Sequence, residues 1–369
     1  MLSDYFHKKA AIKRIPLDGA FELSPVCNFH CKMCYVRKTP EQIKAEKKKL
    51  IPWQQWLELA KECRNAGMLY LLLTGGEPFL YPGFKELYVE LQRMGFILSI
   101  NSNGTMIDEE MVEWLKQYAP SKINITLYGS SPETYEKICG NAAGYAKAIR
   151  AIHLLHDAGI PVVINASMIP ENVDDLEDII DFGKGLGLNT RVSTYMFPPI
   201  RRKQEKEDSR FSPEEAANVF LRKQKKVLTS KEFRIFAEKT LEKKERMEIQ
   251  STWGTKDEYM RCRAGKSSFW ISWEGKMTAC GLLDFPLTTE PFKTPFLECW
   301  MQLTNAVRNS SVLHGCANCG NRNICKPCVA MIYSETGSIK EKAPYLCKMS
   351  ECINAYLVQE LEAIKDAEE

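Results

Sequence analysis

The chain has no apolar run long enough to cross a bilayer. Its longest, around MLYLLL at residues 68–73, falls far short of the roughly 20 residues a spanning helix needs. The opening MLSDYFHKKAAIKRIP has no apolar h-region and no cleavage site, so no export signal is read there. An excess of one charge is missing too. With 50 Lys and Arg against 47 Asp and Glu, the formal charge is +3, too mild to indicate nucleic acid or an anionic membrane surface as a partner. There is no internal repeat and no low-complexity tract. What remains is the expectation of a soluble, cytoplasmic globular chain. At 369 residues, 44% hydrophobic and 26% charged, it has room for one large domain plus a smaller one.

Cysteine is present but unevenly placed. Of 14, three lie at 27–34 and nine from Cys262 to Cys352, with only Cys63 and Cys139 between. In a chain of this size without an export signal, clustered cysteines point to metal rather than disulfides. Cys63 falls in an amphipathic pattern and is expected to be a small core residue.

Between the cysteine regions, β-like runs alternate with helical patterns. AFELSP, LYLLLTGG, FILSINSNG, KINITLYG, PVVINASMI and NTRVSTYMF read as strands. Trp53 to Gly67, Gly83 to Met94, Asp108 to Tyr118, Tyr145 to Ala158 and Asp174 to Lys184 read as helices. Six strand–helix repeats or nearly so predict an α/β fold of parallel strands with crossover helices, an open or closed barrel whose function sits at the strands' carboxyl ends. Those ends read SPVC, TGGEP, NSNG, TLYG, NASM and STYM. One such ending is an ordinary turn; six beside three cysteines mark a site. His153 and His156 fall on the helix after TLYG and are expected on its outer face, and Asp284 on a solvated loop.

PPIRRKQEKEDSRF ends the alternation. The expected division is a barrel over 1–200, a charged helical connector over 201–258, a cysteine-rich domain over 259–352 and a C-terminal helix over 353–369. The lysine-rich stretch 213–247 is read as a solvated connector. SSFWISWEGKMTAC, ending at Cys280, looks like a hairpin turning at Glu274-Gly275.

Cys27, Cys31 and Cys34 have C-x3-C-x2-C spacing. A structural zinc wants four ligands, and His30, between two of these cysteines in a tight loop, is expected to face solvent. Three thiolates suit one face of an iron–sulfur cube, leaving an iron open to a small chelating ligand.

This loop, followed by the aromatic Tyr35, resembles that of the radical S-adenosylmethionine enzymes. The resemblance implies a partial (β/α)6 TIM-type barrel. It also implies a [4Fe–4S] cluster on Cys27, Cys31 and Cys34, whose open iron is chelated by the amino and carboxylate groups of S-adenosylmethionine. One electron then cleaves the sulfonium, and a 5′-deoxyadenosyl radical abstracts a substrate hydrogen. The resemblance extends to TGGEP, where Gly75, Gly76 and Glu77 match the motif that holds the methionine ammonium, by close backbone approach and by an acid. By position, Ser102, Thr126 and Asn165 end later strands and are expected at the ribose or carboxylate. Many relatives carry an arginine where this chain has Cys139 in ICG; Arg191 is the candidate replacement.

The later cysteines resemble the SPASM extension, a domain of short hairpin and helices that carries two auxiliary [4Fe–4S] clusters. Cys316, Cys319, Cys325 and Cys347 would serve the distal cluster, and Cys262, Cys280 and Cys328 the proximal one, with Cys299 or Cys352 completing it or an iron left open. Cys325 and Cys328 stand C-x2-C where the family has C-x3-C. CANC and CKPC are also good zinc-knuckle pairs, so a zinc-binding interaction module stays open from these residues alone. The resemblance implies an electron donor such as flavodoxin or ferredoxin. It also implies modification of a ribosomally made peptide or protein, by thioether or carbon–carbon cross-link or by oxidation. The alternative is radical oxidation or rearrangement of a small cofactor precursor. With the cluster loop at residue 27, no fused winged-helix peptide-recognition domain is expected before it, so a leader would need a separate protein or direct docking.

Overall fold

Runs rich in Leu, Ile and Val that are covered on both faces have one stable use, as parallel strands inside a helical layer. The computed structural model describes residues 2–198, 209–250, 262–310, 316, 319–326 and 328–367. The strands are β1 Asp18–Glu22, β2 Tyr70–Thr74, β3 Ile97–Ser102, β4 Lys122–Thr126, β5 Val162–Ser167, β6 Asn189–Ser193, β7 Ser268–Ile271 and β8 Met277–Thr278. They form one sheet in the order β6-β5-β4-β3-β2-β1-β7-β8. The first six are parallel neighbours in chain order, as a partial barrel requires, and all six coincide with the strands read from the sequence.

The helices are α1 Leu2–Lys13, α2 Pro40–Ala45, α3 Trp53–Asn65, α4 Phe84–Arg93, α5 Glu109–Gln117, α6 Pro132–Cys139, α7 Ala143–Asp157, α8 Leu176–Gly185, α9 Pro213–Val227, α10 Ser230–Gln250, α11 Phe296–Asn309, α12 Val329–Thr336 and α13 Pro344–Asp366. Their starts carry local signals. Asp108 accepts the Met111 N–H at 2.9 Å, and Ser131 accepts that of Thr134 at 3.1 Å, one residue before a proline suited to the first helical turn. The second of these opens α6, which the sequence reading passes over. No helix among the described residues is long and apolar enough to cross a membrane.

The expected hairpin is present, with Trp270 opposite Thr278 and Gly275 in the turn at φ +78°. Its placement is a new finding. β7 pairs in parallel with β1, Gly19 opposite Phe269, so the cysteine-rich region adds a seventh parallel strand to the barrel sheet. Gly19 permits the contact, because a Cβ there would lie 2.6 Å from Met68 Sδ and 2.7 Å from the Phe269 ring.

The lysine-rich stretch corrects its sequence reading. It is no solvated connector: α9 buries Ala216, Ala217, Val219 and Leu221 and packs along α13, while α10 buries Phe233 and Ala237. Its lysines occupy the other face, which hid an amphipathic pair behind a charge run. α13 runs unbroken through position 352, where the sequence reading divides domain from helix.

Trp56 lies at the centre of the core, fully buried between Phe21 and Phe292 with ring centroids 4.9 and 5.1 Å away. Its indole N–H has no hydrogen-bond partner. Trp56→Ala is expected to lower stability by about 3–5 kcal/mol. Trp56→Phe should cost much less, since it removes an unsatisfied buried donor; urea midpoints of the two variants check the difference.

Candidate functional site

The loop CNFHCKMC follows β1 and rests on the end of α6. His30 N–H donates to the Cys139 carbonyl at 2.8 Å and Lys32 N–H to that of Ile138 at 3.1 Å. Phe29 anchors the loop, buried edge-on to Tyr128 and Tyr135 at 5.9 and 6.0 Å. A Cβ at Gly144 would come within 2.5 Å of its ring. The loop thereby presents Cys27, Cys31 and Cys34 to a cavity of about 970 Å³.

Donors surround the sulfurs. Cys27 Sγ accepts from the Phe29 N–H at 3.4 Å and the Asn103 amide at 3.7 Å, and Cys34 Sγ from the Arg37 N–H at 3.3 Å. Such N–H···S contacts suit thiolates that hold an iron–sulfur cluster. Burial pushes the Cys27 thiol up to about 12, so a metal must displace its proton to bind. Cys31 is held below the usual thiol value, first by a hydrogen bond with Cys139 and, against its burial, by one with Tyr128. Among the described residues no three Cys, His, Asp or Glu side chains close around one point as a mononuclear site demands. A four-iron cube spreads its thiolates over separate irons, so the donor set fits a cluster better than zinc.

The end of β2 is pressed into the loop after β1. Gly76 N–H donates to Ser24 O at 2.7 Å and Glu77 N–H to Val26 O at 2.9 Å. At Gly75 (φ +148°) a Cβ would stand 2.4 Å from Ser24 O, and at Gly76 2.3 Å from Val26 O, so neither position admits a side chain. Both glycines line the cavity. Glu77 does not: it is fully buried, its carboxylate accepting from Ser102 Oγ at 2.9 Å, Asn103 N–H at 2.8 Å and Phe79 N–H at 3.3 Å. Burial pushes its pKa up to about 7 against these donors. The acid read from the sequence as an ammonium partner instead ties β2 to β3, with the Ser102 hydroxyl directed at it.

Tyr35 and Thr126 line the cavity as expected; Asn165 does not, and Ser167, two residues further along β5, takes that place. Arg191 is exposed on the edge strand and lies off the cavity. The cations on the wall are Lys32, Arg37 and Arg210, none of them anticipated. Arg37 follows the third cysteine closely, and its buried Nε has no hydrogen-bond partner. Asn103 and Tyr128, also missed, end β3 and β4 in NSNG and TLYG, so their signal was available. His30 is exposed at the rim, while His153, His156 and Asp284 are exposed away from the cavity.

In the C-terminal region Cys316, Cys319, Cys325 and Cys347 gather. Burial first, then the neighbouring Cys347, Cys325 and Cys319, pushes Cys316 up to about 11; burial also raises Cys325 and Cys347, with the nearby Cys319 adding to both. Cys280, Cys328 and Cys352 are half-buried and Cys262 is exposed. Cys299 is a core residue of α11, its thiol donating to Thr294 O at 3.7 Å.

Residues 21–183 match the family model described as the Radical SAM superfamily. Those residues are a radical S-adenosylmethionine domain. The chain is similar to the AdoMet-dependent heme synthase of Methanosarcina barkeri, 26% identical over 346 residues that cover 91% of this chain and 97% of that protein. It is also similar to the sporulation killing factor maturation protein SkfB of Bacillus subtilis, 27% identical over 170 residues, or 45% of this chain and 39% of that one. Among solved structures, Streptococcus suis SuiB bound to its precursor peptide SuiA superposes with a TM-score of 0.67 at 17% identity, covering 94% of this chain and 80% of SuiB. The fold is therefore that of radical S-adenosylmethionine enzymes along nearly the whole chain, and the chain is an enzyme.

Because Glu77 is protonated more readily when folded, its contribution is fully present below the unfolded value of 4.5 and is lost as pH rises through about 7. Glu77→Gln is expected to remove that decline, of order 3 kcal/mol for a fully buried group, from the difference between wild-type and variant denaturation curves across the window.

Proposed function

We propose that the chain reductively cleaves S-adenosylmethionine and uses the resulting radical to abstract hydrogen from a peptide or protein during its post-translational modification. One observation carries the reading: the three cysteines of the C-x3-C-x2-C loop and the side-chain-free backbone at Gly75 and Gly76 meet on the wall of one cavity. Cys27, Cys31 and Cys34 would hold a [4Fe–4S] cluster, which supplies the electron that splits the sulfonium. Gly75 and Gly76 would let backbone carbonyls approach the methionine ammonium, and Tyr35, Thr126 and Ser167, on the same wall, would line the rest of the cofactor's place. Arg37 offers the carboxylate a counter-charge where the family's arginine is absent. Glu77 would set the position of these groups from behind, through Ser102 and Asn103, which themselves line the cavity. Asn165, two residues before Ser167, accepts the Leu127 N–H through its carbonyl at 2.9 Å and so ties β5 to the end of β4.

Cys316, Cys319, Cys325 and Cys347 would hold one auxiliary cluster, and Cys262, Cys280 and Cys328 a second, within a C-terminal unit that follows the barrel of residues 1–200. A flavodoxin or ferredoxin is the expected electron source. SkfB, whose name makes it a maturation protein, and SuiB, seen with a precursor peptide, support the peptide reading. A small-molecule substrate is the second reading, favoured by the length of the match to the heme synthase of Methanosarcina barkeri.

Anaerobic, reconstituted, reduced protein should release 5′-deoxyadenosine from S-adenosylmethionine. Changing Cys27, Cys31 and Cys34 to Ala should abolish release and remove about four irons per chain. Changing Cys316, Cys319, Cys325 and Cys347 to Ala should remove about four others and leave that release in place. Release that survives the first triple change would refute the reading.

A further inference from the structure

Apart from its cysteine thiols and tyrosine phenols, the cavity wall carries charge of one sign among the described residues. Lys32, Arg37 and Arg210 line it, and among the described residues no aspartate or glutamate does. Two of these cations are joined into one strip on the β5–β6 side. Lys32 Nζ lies 3.3 Å from Glu171 Oε1, and the same oxygen accepts from Ser209 Oγ at 3.4 Å. Arg210, the next residue, donates to Glu335 Oε1 at 2.6 Å, and Tyr195 donates to that oxygen at 2.6 Å. Neither glutamate lines the cavity. Each stands behind its cation and holds it in place, so neither side chain must be ordered when a ligand arrives.

The Arg210 guanidinium is also stacked over Tyr345 at 4.5 Å and lies 5.8 Å from the Tyr195 ring. Its side chain is only 11% exposed and that of Glu335 10%. A charge pair so far from water is costly to keep unless something uses its polarity. Met196, Phe197 and Leu282 line the same cavity, which adds an apolar surface beside the two cations. Arg37 belongs to the other side, within the reach of the cysteine loop, where its charge acts on Cys31.

We propose that the cavity takes a substrate with an apolar body and at least one carboxylate, bound by Lys32 and Arg210. The proposal rests on the reading above, in that S-adenosylmethionine occupies the part of the cavity beside the glycines and Arg37. A planar guanidinium carries five donors and matches a carboxylate's two oxygens, and an ammonium beside it adds a point charge. The carboxylate has two possible sources, an acidic residue or C-terminus of a peptide, or the acid side chains of a small metabolite. The shared chemistry is the same, and the experiment separates them.

The test is equilibrium binding to the reconstituted enzyme loaded with S-adenosylmethionine. Two matched pairs serve as probes: the blocked peptide (Gly-Glu)3 against (Gly-Gln)3, and coproporphyrin III against its tetramethyl ester. The acid of at least one pair is expected to bind about tenfold or more tightly than its uncharged counterpart, the scale of a charge-assisted hydrogen bond. The pair that discriminates identifies the source. Arg210→Gln and Lys32→Gln should each reduce that preference several-fold. Because Arg210→Gln leaves Glu335 buried without its cation, the double change Arg210→Gln with Glu335→Gln keeps the region neutral and should lose the preference equally. Equal affinity for acid and neutral forms in both pairs, no binding of either acid, or a preference that persists in all three variants overturns the proposal. Substrate-free release of 5′-deoxyadenosine by the wild type is followed in parallel. If it occurs without any acid preference, only this inference fails; if it is absent, the broader reading fails.

Discussion

A buried carboxylate and two glycines with no room for a side chain decide where the mouth of this barrel lies. Parallel strands end in loops that are free to diverge, and a cluster-bearing loop needs its cysteines held still. Glu77 meets that need from below. Its backbone N–H binds the loop after β1 through Val26, while its carboxylate gathers Ser102 and Asn103 at the end of β3. Three successive strands are thereby joined at one level. Asn103 carries the constraint upward: its N–H is fixed by Glu77, and its amide reaches Cys27 Sγ at 3.7 Å and Asn28 Oδ1 at 2.9 Å. The first cysteine is thus tied to an acid that never touches the cavity.

The same competition between burial and hydrogen bonding recurs around the second cysteine. Cys31 is buried, which alone would favour the neutral thiol, yet Cys139 and Tyr128 lie against it and shift it the other way. Cys139 is itself pushed far up by that contact and by burial. Two thiols and a phenol in one dry pocket cannot all ionise together, and their contacts favour charge on Cys31 over Cys139 and Tyr128. The nearest cation on this side is Arg37, in the loop's own extension, whose charge also favours ionised Cys31.

Much of this was legible from the sequence because it depends on short-range pattern. Alternating Leu and Ile runs between amphipathic stretches identify the six strands, and residues such as Gly75 and Gly76 mark close backbone approach. What was not legible depends on partners far away in the chain. Nothing in SFWI says that it will lie beside β1 in parallel. Nothing in the lysines of α9 says that Ala216 and Leu221 on the opposite face will be covered by α13. The orientation of Glu77 was not legible for a related reason: a carboxylate after two glycines looks the same whether it turns toward a ligand or down to Ser102.

Two of the contacts between the C-terminal region and the barrel bracket the cavity. On one side β7 continues the sheet from β1, the strand whose end carries Cys27, Cys31 and Cys34. On the other, Glu335 of α12 accepts from Arg210 and from Tyr195, just beyond β6. A strand pairing is rigid, whereas an ion pair with two aromatic rings beside it is directional and sensitive to charge. A ligand carboxylate arriving at Arg210 would act on the second attachment and leave the first unchanged. The C-terminal region is therefore joined to the cysteine-bearing strand by main-chain hydrogen bonds, while part of its hold on the far rim passes through Arg210, the residue proposed to meet substrate.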